Sequence, residues 1–486
     1  MKVVALTFDR LPASLLGCYG NEWVETPHFD RLAAESTVFP AAFAEIPGPA
    51  SAEHPWWTGR FEFFKTTEGS GGWVSDPTLT KTGVGTEPPP TASDDSASSG
   101  RTLFENLAEA GVSFRFLSER ADGLPPRGVS VENASGSEPS FEVVTGEEGL
   151  DAEHVDVSFA KLIQRATEIL DGPAAAVPDL LWLHSRGVPS PWLPPEFFAG
   201  LYLDELEDQD ESDATGREIA DALLDQLRTE PDLVRLLLSD PDDAAADAEL
   251  IAAELGEIGE RVRKYVFAGY VSLIDHCLQS LTEVVSRYDD VLLLVTAARG
   301  VTFGERAAFL AKDASASERA DADDDVCDTL LRVPLLIRPA GPAGFGNRDL
   351  RLTQSPDIFA TILDCLSSAD SSKVAAEGDD SPALAASLLQ PAPSHQNPID
   401  VPAALHLGME GTLAIRSRDW LLTVPDGLEV LPADIGSDEL ADQAGLYAQP
   451  DDRWMLNNLT RQQLGISVEL LDRLRERTSS AGNAVR

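Results

Sequence analysis

The chain has 486 residues, 82 of them acidic and 37 basic, which gives a formal net charge of −45. So acidic a surface repels polyanions and argues against nucleic acid and anionic membranes as partners. The length exceeds what one hydrophobic core ordinarily serves, so more than one compact unit is expected, and no run approaches the ~18 uninterrupted apolar residues of a membrane-crossing helix.

Lys2-Val-Val-Ala-Leu-Thr-Phe8 is short, apolar and rich in β-branched residues, which predicts a buried strand with Asp9 at its carboxyl end. Ligands of open α/β sheets collect at such strand ends, so Asp9 is the first candidate site residue. The chain then turns through Gly17 to Asn21 and offers Thr26 as N-cap and Pro27 as first residue of an amphipathic helix over 29–35. Residues 66–100 are rich in Gly, Ser, Thr, Pro and Asp and predict a surface loop. A helix follows over 101–111, stopped by Gly111, then a strand over 112–117 and a polar stretch to Val155.

Further on, the pattern predicts a helix over 159–170, a strand over 179–184 ending in His184, and a strongly acidic helical region over 200–262 running into a helix to Val285. Val291 to Thr296 is the third core strand, Leu330 to Arg338 another, and Pro356 to Leu366 a helix. Strands alternating with helices give an α/β fold, a large mostly parallel central sheet with helices on both faces. From Ala404 short strands follow one another, over 405–407, 412–416, 420–424 and 428–431, before a helix over 468–477. The expected organisation is one large α/β domain over 1–400, with loop insertions near 66–100, 120–155, 201–260 and 367–397, and a small antiparallel α+β subdomain over 401–486.

The four cysteines, Cys18, Cys277, Cys327 and Cys365, are widely spaced without a CxxC pair, so reduced thiols are expected rather than a zinc ribbon or disulfide framework. The first strand begins at residue 2, which leaves no space for a secretory signal, and a cytoplasmic protein is expected. The acidic run Asp321 to Asp325 lacks the central Gly and terminal Glu of a calcium-binding loop, so it reads as solvated surface.

Leu6-Thr-Phe-Asp9, Leu16-Gly-Cys-Tyr-Gly-Asn21, Thr26-Pro-His-Phe-Asp-Arg-Leu-Ala-Ala-Glu35 and Thr58-Gly-Arg60 together resemble the opening of the sulfatases of the alkaline phosphatase superfamily. Asp275, the run Arg332 to Arg338 and Asp357 to Asp364 extend the resemblance along most of the chain. It implies the sulfatase fold, a nucleophile made from Cys or Ser in a C/S-x-P-x-R motif, and a divalent cation, usually calcium, holding the sulfate oxygens.

Position by position, the chain departs from what the resemblance implies. Nine residues before Thr58 stands Pro49, where the nucleophile belongs, and Glu53 occupies the place of the motif arginine, with Ser51 and His54 nearby. The paired acids after the first strand are Asp9 and Arg10, and the later acid pair falls at Ala298 and Arg299. A lysine expected after the strand over 112–117 falls near Glu119, the histidine expected before Pro194 falls near Pro189, and Lys312 matches only loosely. One carboxylate flanked by arginines does not supply the six or so oxygens that calcium takes.

The expectation is therefore a sulfatase-like pseudoenzyme without a metal cofactor, its remnant pocket formed by Asp9, Arg10, Glu53, His54 and Arg299. Its partner would be a protein or an anionic small molecule. The alternative is an active sulfate- or phosphate-ester hydrolase with a rebuilt site that uses Asp9, Glu53, His54 and His184. Trp56 and Trp57 are expected in the core.

Overall fold

The first strand, β1 (Lys2–Arg10), sits at the centre of the molecule because neighbours on both sides and layers above and below bury it. Val3, Val4, Ala5, Leu6 and Phe8 are all at most 1% exposed, and full burial of each Val, Leu or Phe side chain contributes about 1.5–3 kcal/mol. The computed structural model describes residues 1–46, 54–59, 64–65, 73–74, 102–119, 129, 141–149, 151–174, 176–203, 238, 247–303, 326–341, 346–366, 385–390, 404–407, 412–425, 440 and 443–483.

In chain order the other strands of the main sheet are β2 (Thr37–Val38), β5 (Phe114–Ser118), β6 (Phe141–Val143), β7 (Leu180–Gly187), β8 (Val291–Arg299), β9 (Leu335–Arg338) and β10 (Asn347–Arg348). They lie in the order β10-β2-β9-β8-β1-β7-β5-β6. The five from β8 to β6 run parallel, and β9 is antiparallel to β8. A separate antiparallel pair is made by β3 (Phe64–Lys65) and β4 (Trp73–Val74). The small sheet is antiparallel and holds β11 (Ala404–Leu407), β12 (Leu413–Arg416), β13 (Trp420–Val424) and β14 (Gly445–Ala448) in sequence order. A mostly parallel sheet with helices, beside a small antiparallel sheet, is the architecture the sequence predicts.

The helices are α1 (Pro27–Ala34), α2 (His54–Thr58), α3 (Leu103–Glu109), α4 (Ser158–Leu170), α5 (Glu196–Gly200), α6 (Asp247–Val285), α7 (Asp328–Leu331), α8 (Ser355–Leu366) and α9 (Leu464–Asn483). Successive strand residues face opposite sides of a sheet. Phe8 meets Phe159 of α4, so α4, with α6 and α1 behind it, covers the Phe8 face. Trp56 of α2 meets Trp182 of β7, so α2, packed with α3 and α8, covers the Thr7 face. No helix among the described residues is long and apolar enough to cross a membrane.

Local chemistry sets the helix ends. Thr102 and Glu105 form a reciprocal capping box at α3, and Gly111, at a φ of +73°, turns the chain out of it. Thr26 precedes α1 as expected but does not cap it, because its Oγ1 accepts from Gly17 N. Asp275 of α6 does so instead, accepting from His28 N and Phe29 N at 2.8–3.2 Å.

Several boundaries differ from the sequence reading for physical reasons. Residues 330–338 are not one strand: α7 holds 328–331, Pro334 supplies no N–H, and the strand begins at Leu335. The stretch 120–155, expected as a loop insertion, contains β6, paired to β5 through Phe116 and Phe141. The helical region expected over 200–262 and on to Val285 is described from Asp247 onward, as α6. Strand β14 was not foreseen, and the strand expected over 428–431 lies outside the described residues.

The small sheet has its own core, with Leu405, Leu413, Ile415, Leu422, Val424 and, from α9, Leu470, Leu471 and Leu474. Its edge strand β11 is closed by a side chain of the main body. Gln354 Nε2 donates to Leu405 O at 2.9 Å, and Leu405 N donates to Gln354 Oε1 at 3.0 Å, which satisfies an edge that would otherwise template pairing. Arg416 crosses the same joint, pairing with Asp328 while its guanidinium lies 4.3 Å from the centre of the Phe43 ring.

Candidate functional site

The carboxyl ends of β5, β7, β1 and β8 lie side by side, and pairing fixes what they bring together. Thr7 is opposite both His184 and Thr296, and Arg10 is opposite both Gly187 and Arg299. Asp9, Arg10 and Arg299 of the expected pocket therefore share one end of the sheet. Both arginines are buried. The Asp9 carboxylate lies 3.6 Å from Arg299 Nε, an ion contact longer than a hydrogen bond.

Pro49, Ser51, Glu53 and Lys312 lie outside the described residues, and of His54 only the backbone, at the start of α2, is described. The two residues after Pro55 are placed: Trp56 is fully buried against Trp182 and His184, and half-buried Trp57 packs edge-on to Phe116. His184 is buried within β7. Its Nδ1 lies 3.0 Å from Thr7 Oγ1, which also accepts from Trp182 Nε1 at 2.9 Å, so one ring nitrogen is committed to a strand-to-strand bond.

Glu119, one residue beyond β5, is where a lysine was expected, and it is the centre of a cluster that sequence reasoning missed. Its Oε2 accepts from Ser185 Oγ at 3.2 Å and from Arg186 N at 3.0 Å. Its Oε1 is buried without a hydrogen-bond partner among the described residues. Burial pushes the Glu119 carboxyl up to about 7, opposed by the Arg186 N–H and guanidinium and reinforced by Glu148. Arg186 reaches Glu148 at 3.3 Å, and Tyr270 of α6 donates to Glu148 at 3.0 Å. A signal in the chain was Glu119 just after the strand over 112–117, with Ser185-Arg186 following the strand that ends in His184.

The cation that the sulfatase resemblance implies can be tested against these side chains. β8 ends in Ala298 and Arg299, β1 ends in Asp9 and Arg10, and Asp9 already faces a buried guanidinium. A hard cation takes about six or more oxygens and is repelled by neighbouring positive charge. The described residues do not fit calcium at this place.

No family model matches the chain, and no curated protein sequence matches it. Solved structures do. A protein in complex with its substrate D-glucosamine-2-N,6-O-disulfate aligns at a TM-score of 0.61 and 14% identity over 99% of this chain and 98% of that one. A phosphonate monoester hydrolase of Agrobacterium radiobacter aligns at 0.58 and 15% over 99% and 96%. A putative sulfatase from Bacteroides fragilis aligns at 0.58 and 14% over 100% and 97%. Alignment over nearly the whole of each chain at so low an identity is a likeness of fold, and fold does not carry activity with it.

Proposed function

We propose that this chain, which has the fold of the sulfatases, has lost sulfuric ester hydrolysis and acts by binding, either to an anionic small molecule or to a protein. The observation that carries this reading is the pairing of Asp9 with buried Arg299 at the strand ends. The resemblance calls for carboxylates around a cation there, whereas here a buried guanidinium of the protein lies against Asp9. Arg10 and Arg299 both lie at that end of the sheet, and positive charge there disfavours a metal ion.

A second reading, an active hydrolase with a rebuilt site, is favoured by one observation. Glu119 is a buried acid raised to about 7, the range suited to proton transfer at neutral pH, with Ser185 and Arg186 beside it.

One assay separates the two. The purified chain is presented with aryl sulfates and with phosphate mono- and diesters, each in calcium, magnesium, manganese or zinc. The binding reading expects no turnover above buffer. Turnover abolished by Asp9→Ala contradicts it, and turnover that survives Asp9→Ala but falls in Glu119→Gln establishes the rebuilt site.

A further inference from the structure

Three of the seven histidines in the chain, His28, His154 and His276, gather far from the strand ends in sequence terms, on α1, on the loop before α4 and on α6. His154 and His276 are both exposed, and their ring centres are 5.4 Å apart with the planes at 70°. Buried Phe198 of α5 lies against both, 6.5 Å from the His154 ring and 6.2 Å from the His276 ring, as a floor beneath the pair.

The backbone that carries these two residues is tied to its surroundings. His276 follows Asp275, whose carboxylate is bound to the N–H groups of His28 and Phe29, so α1 and α6 are tied together beside it. The backbone around His154 is folded into turns, with Ala152 N donating to Gly149 O, Asp156 N to Glu153 O and Glu147 N to Asp156 O. His28 is close enough to His276 that, after burial and Arg31, the His276 charge helps to lower its pKa.

We propose that His154 and His276 form a surface site for a borderline divalent transition-metal ion of the zinc or copper class. Two imidazoles bound through one nitrogen each to a tetrahedral ion, at the usual metal–nitrogen distance of about 2.0–2.1 Å, place their ring centres about 5 Å apart. The observed 5.4 Å between the ring centres is close to that spacing. No group of three or more His, Cys, Asp and Glu among the described residues encloses an ion, so the protein supplies two ligands and water the rest. Imidazole selects zinc, copper and nickel over calcium and magnesium, and a chain of net charge −45 draws cations to its surface. The site shares no residue with the strand-end cluster and does not depend on whether that cluster is catalytic.

The test is zinc titration of the full chain by calorimetry, after EDTA treatment and desalting, in millimolar calcium so that carboxylate sites are saturated with a hard ion. The proposal expects about one zinc per chain, with association weakened about tenfold or more in His154→Ala and again in His276→Ala, and copper binding more tightly than zinc. Both side chains are exposed, so the variants should keep the wild-type circular dichroism spectrum. Two results overturn the proposal: no zinc uptake by the wild-type chain, or an unchanged isotherm in the double variant.

Discussion

At the carboxyl ends of β1 and β8 the partly exposed acid Asp9 meets an opposite charge, Arg299, whereas at the joint between the two sheets buried Glu45 and His406 are driven toward their neutral forms. Burial pushes the Glu45 carboxyl up to about 7, opposed by hydrogen bonds from Ser355 and from its own backbone and reinforced by the Asp357 charge. Burial and then Arg416 push His406 down to about 3, while its Nδ1 lies 2.8 Å from Ala44 O. The contrast teaches how this chain places ionisable groups inside. Asp9, still within reach of solvent, has a charged partner, whereas fully buried Glu45 and His406, like Glu119 at the end of β5, are driven toward neutrality because desolvation outweighs the few bonds on offer.

The joint also contains one pair of the first kind, and breaking it should have the largest effect. Arg416→Ala removes the partner of Asp328, the donor to Gln449 and the cation over Phe43 at once. Loss of one member of a buried pair costs about 3–5 kcal/mol. Urea denaturation followed by tryptophan fluorescence should show that loss, with the small sheet unfolding first.

The next effect is a pH slope. Folded Glu45 titrates near 7 against an ordinary 4.5, so the folded state holds its proton longer than the unfolded chain does. The stability this group contributes is complete below about pH 4.5, falls as pH rises toward about 7 and is flat beyond. Glu45→Gln should flatten the decline by about 1–3 kcal/mol between pH 4.5 and 7. His406, neutral when folded, acts in the opposite sense and loses stability as pH falls below its ordinary 6.5, but it is common to both proteins and cancels in their difference. Thermal melts of the two proteins across that range provide the comparison, and equal slopes would show that Glu45 does not titrate in the folded chain.

A surface pair sets the scale at the low end. Arg287 and Asp171 meet at 3.0 Å with both side chains about half exposed. Solvent screens such a pair, so Arg287→Ala should change stability by less than about 0.5 kcal/mol. A larger loss would mean that exposure is a poor guide to which ion pairs matter in so acidic a protein.

The fold was legible in the sequence wherever burial on both faces wrote a continuous apolar run. Strands β1, β7 and β8 were found for that reason, although β8 continues through Ala297, Ala298 and Arg299 because β1 pairs with it there, not because those residues favour strands. Strands β6 and β14 were missed because pairing with β5 and β13, rather than local composition, creates them. Asp9, Arg10 and Arg299 lie at one end of the sheet because β1 and β8 pair in parallel up to their carboxyl ends. The Glu119 cluster was not, because it joins residues 119, 148, 186 and 270, which only the packing of α6 against the sheet brings into contact.

The central claim is that Asp9 answers to Arg299 and not to a metal. Calcium binding to the wild-type chain and to Asp9→Asn, measured side by side by calorimetry, tests it most directly. The account predicts superimposable isotherms, with weak uptake by the acidic surface alone. A stoichiometric calcium ion that is bound by the wild type and lost in Asp9→Asn would contradict it.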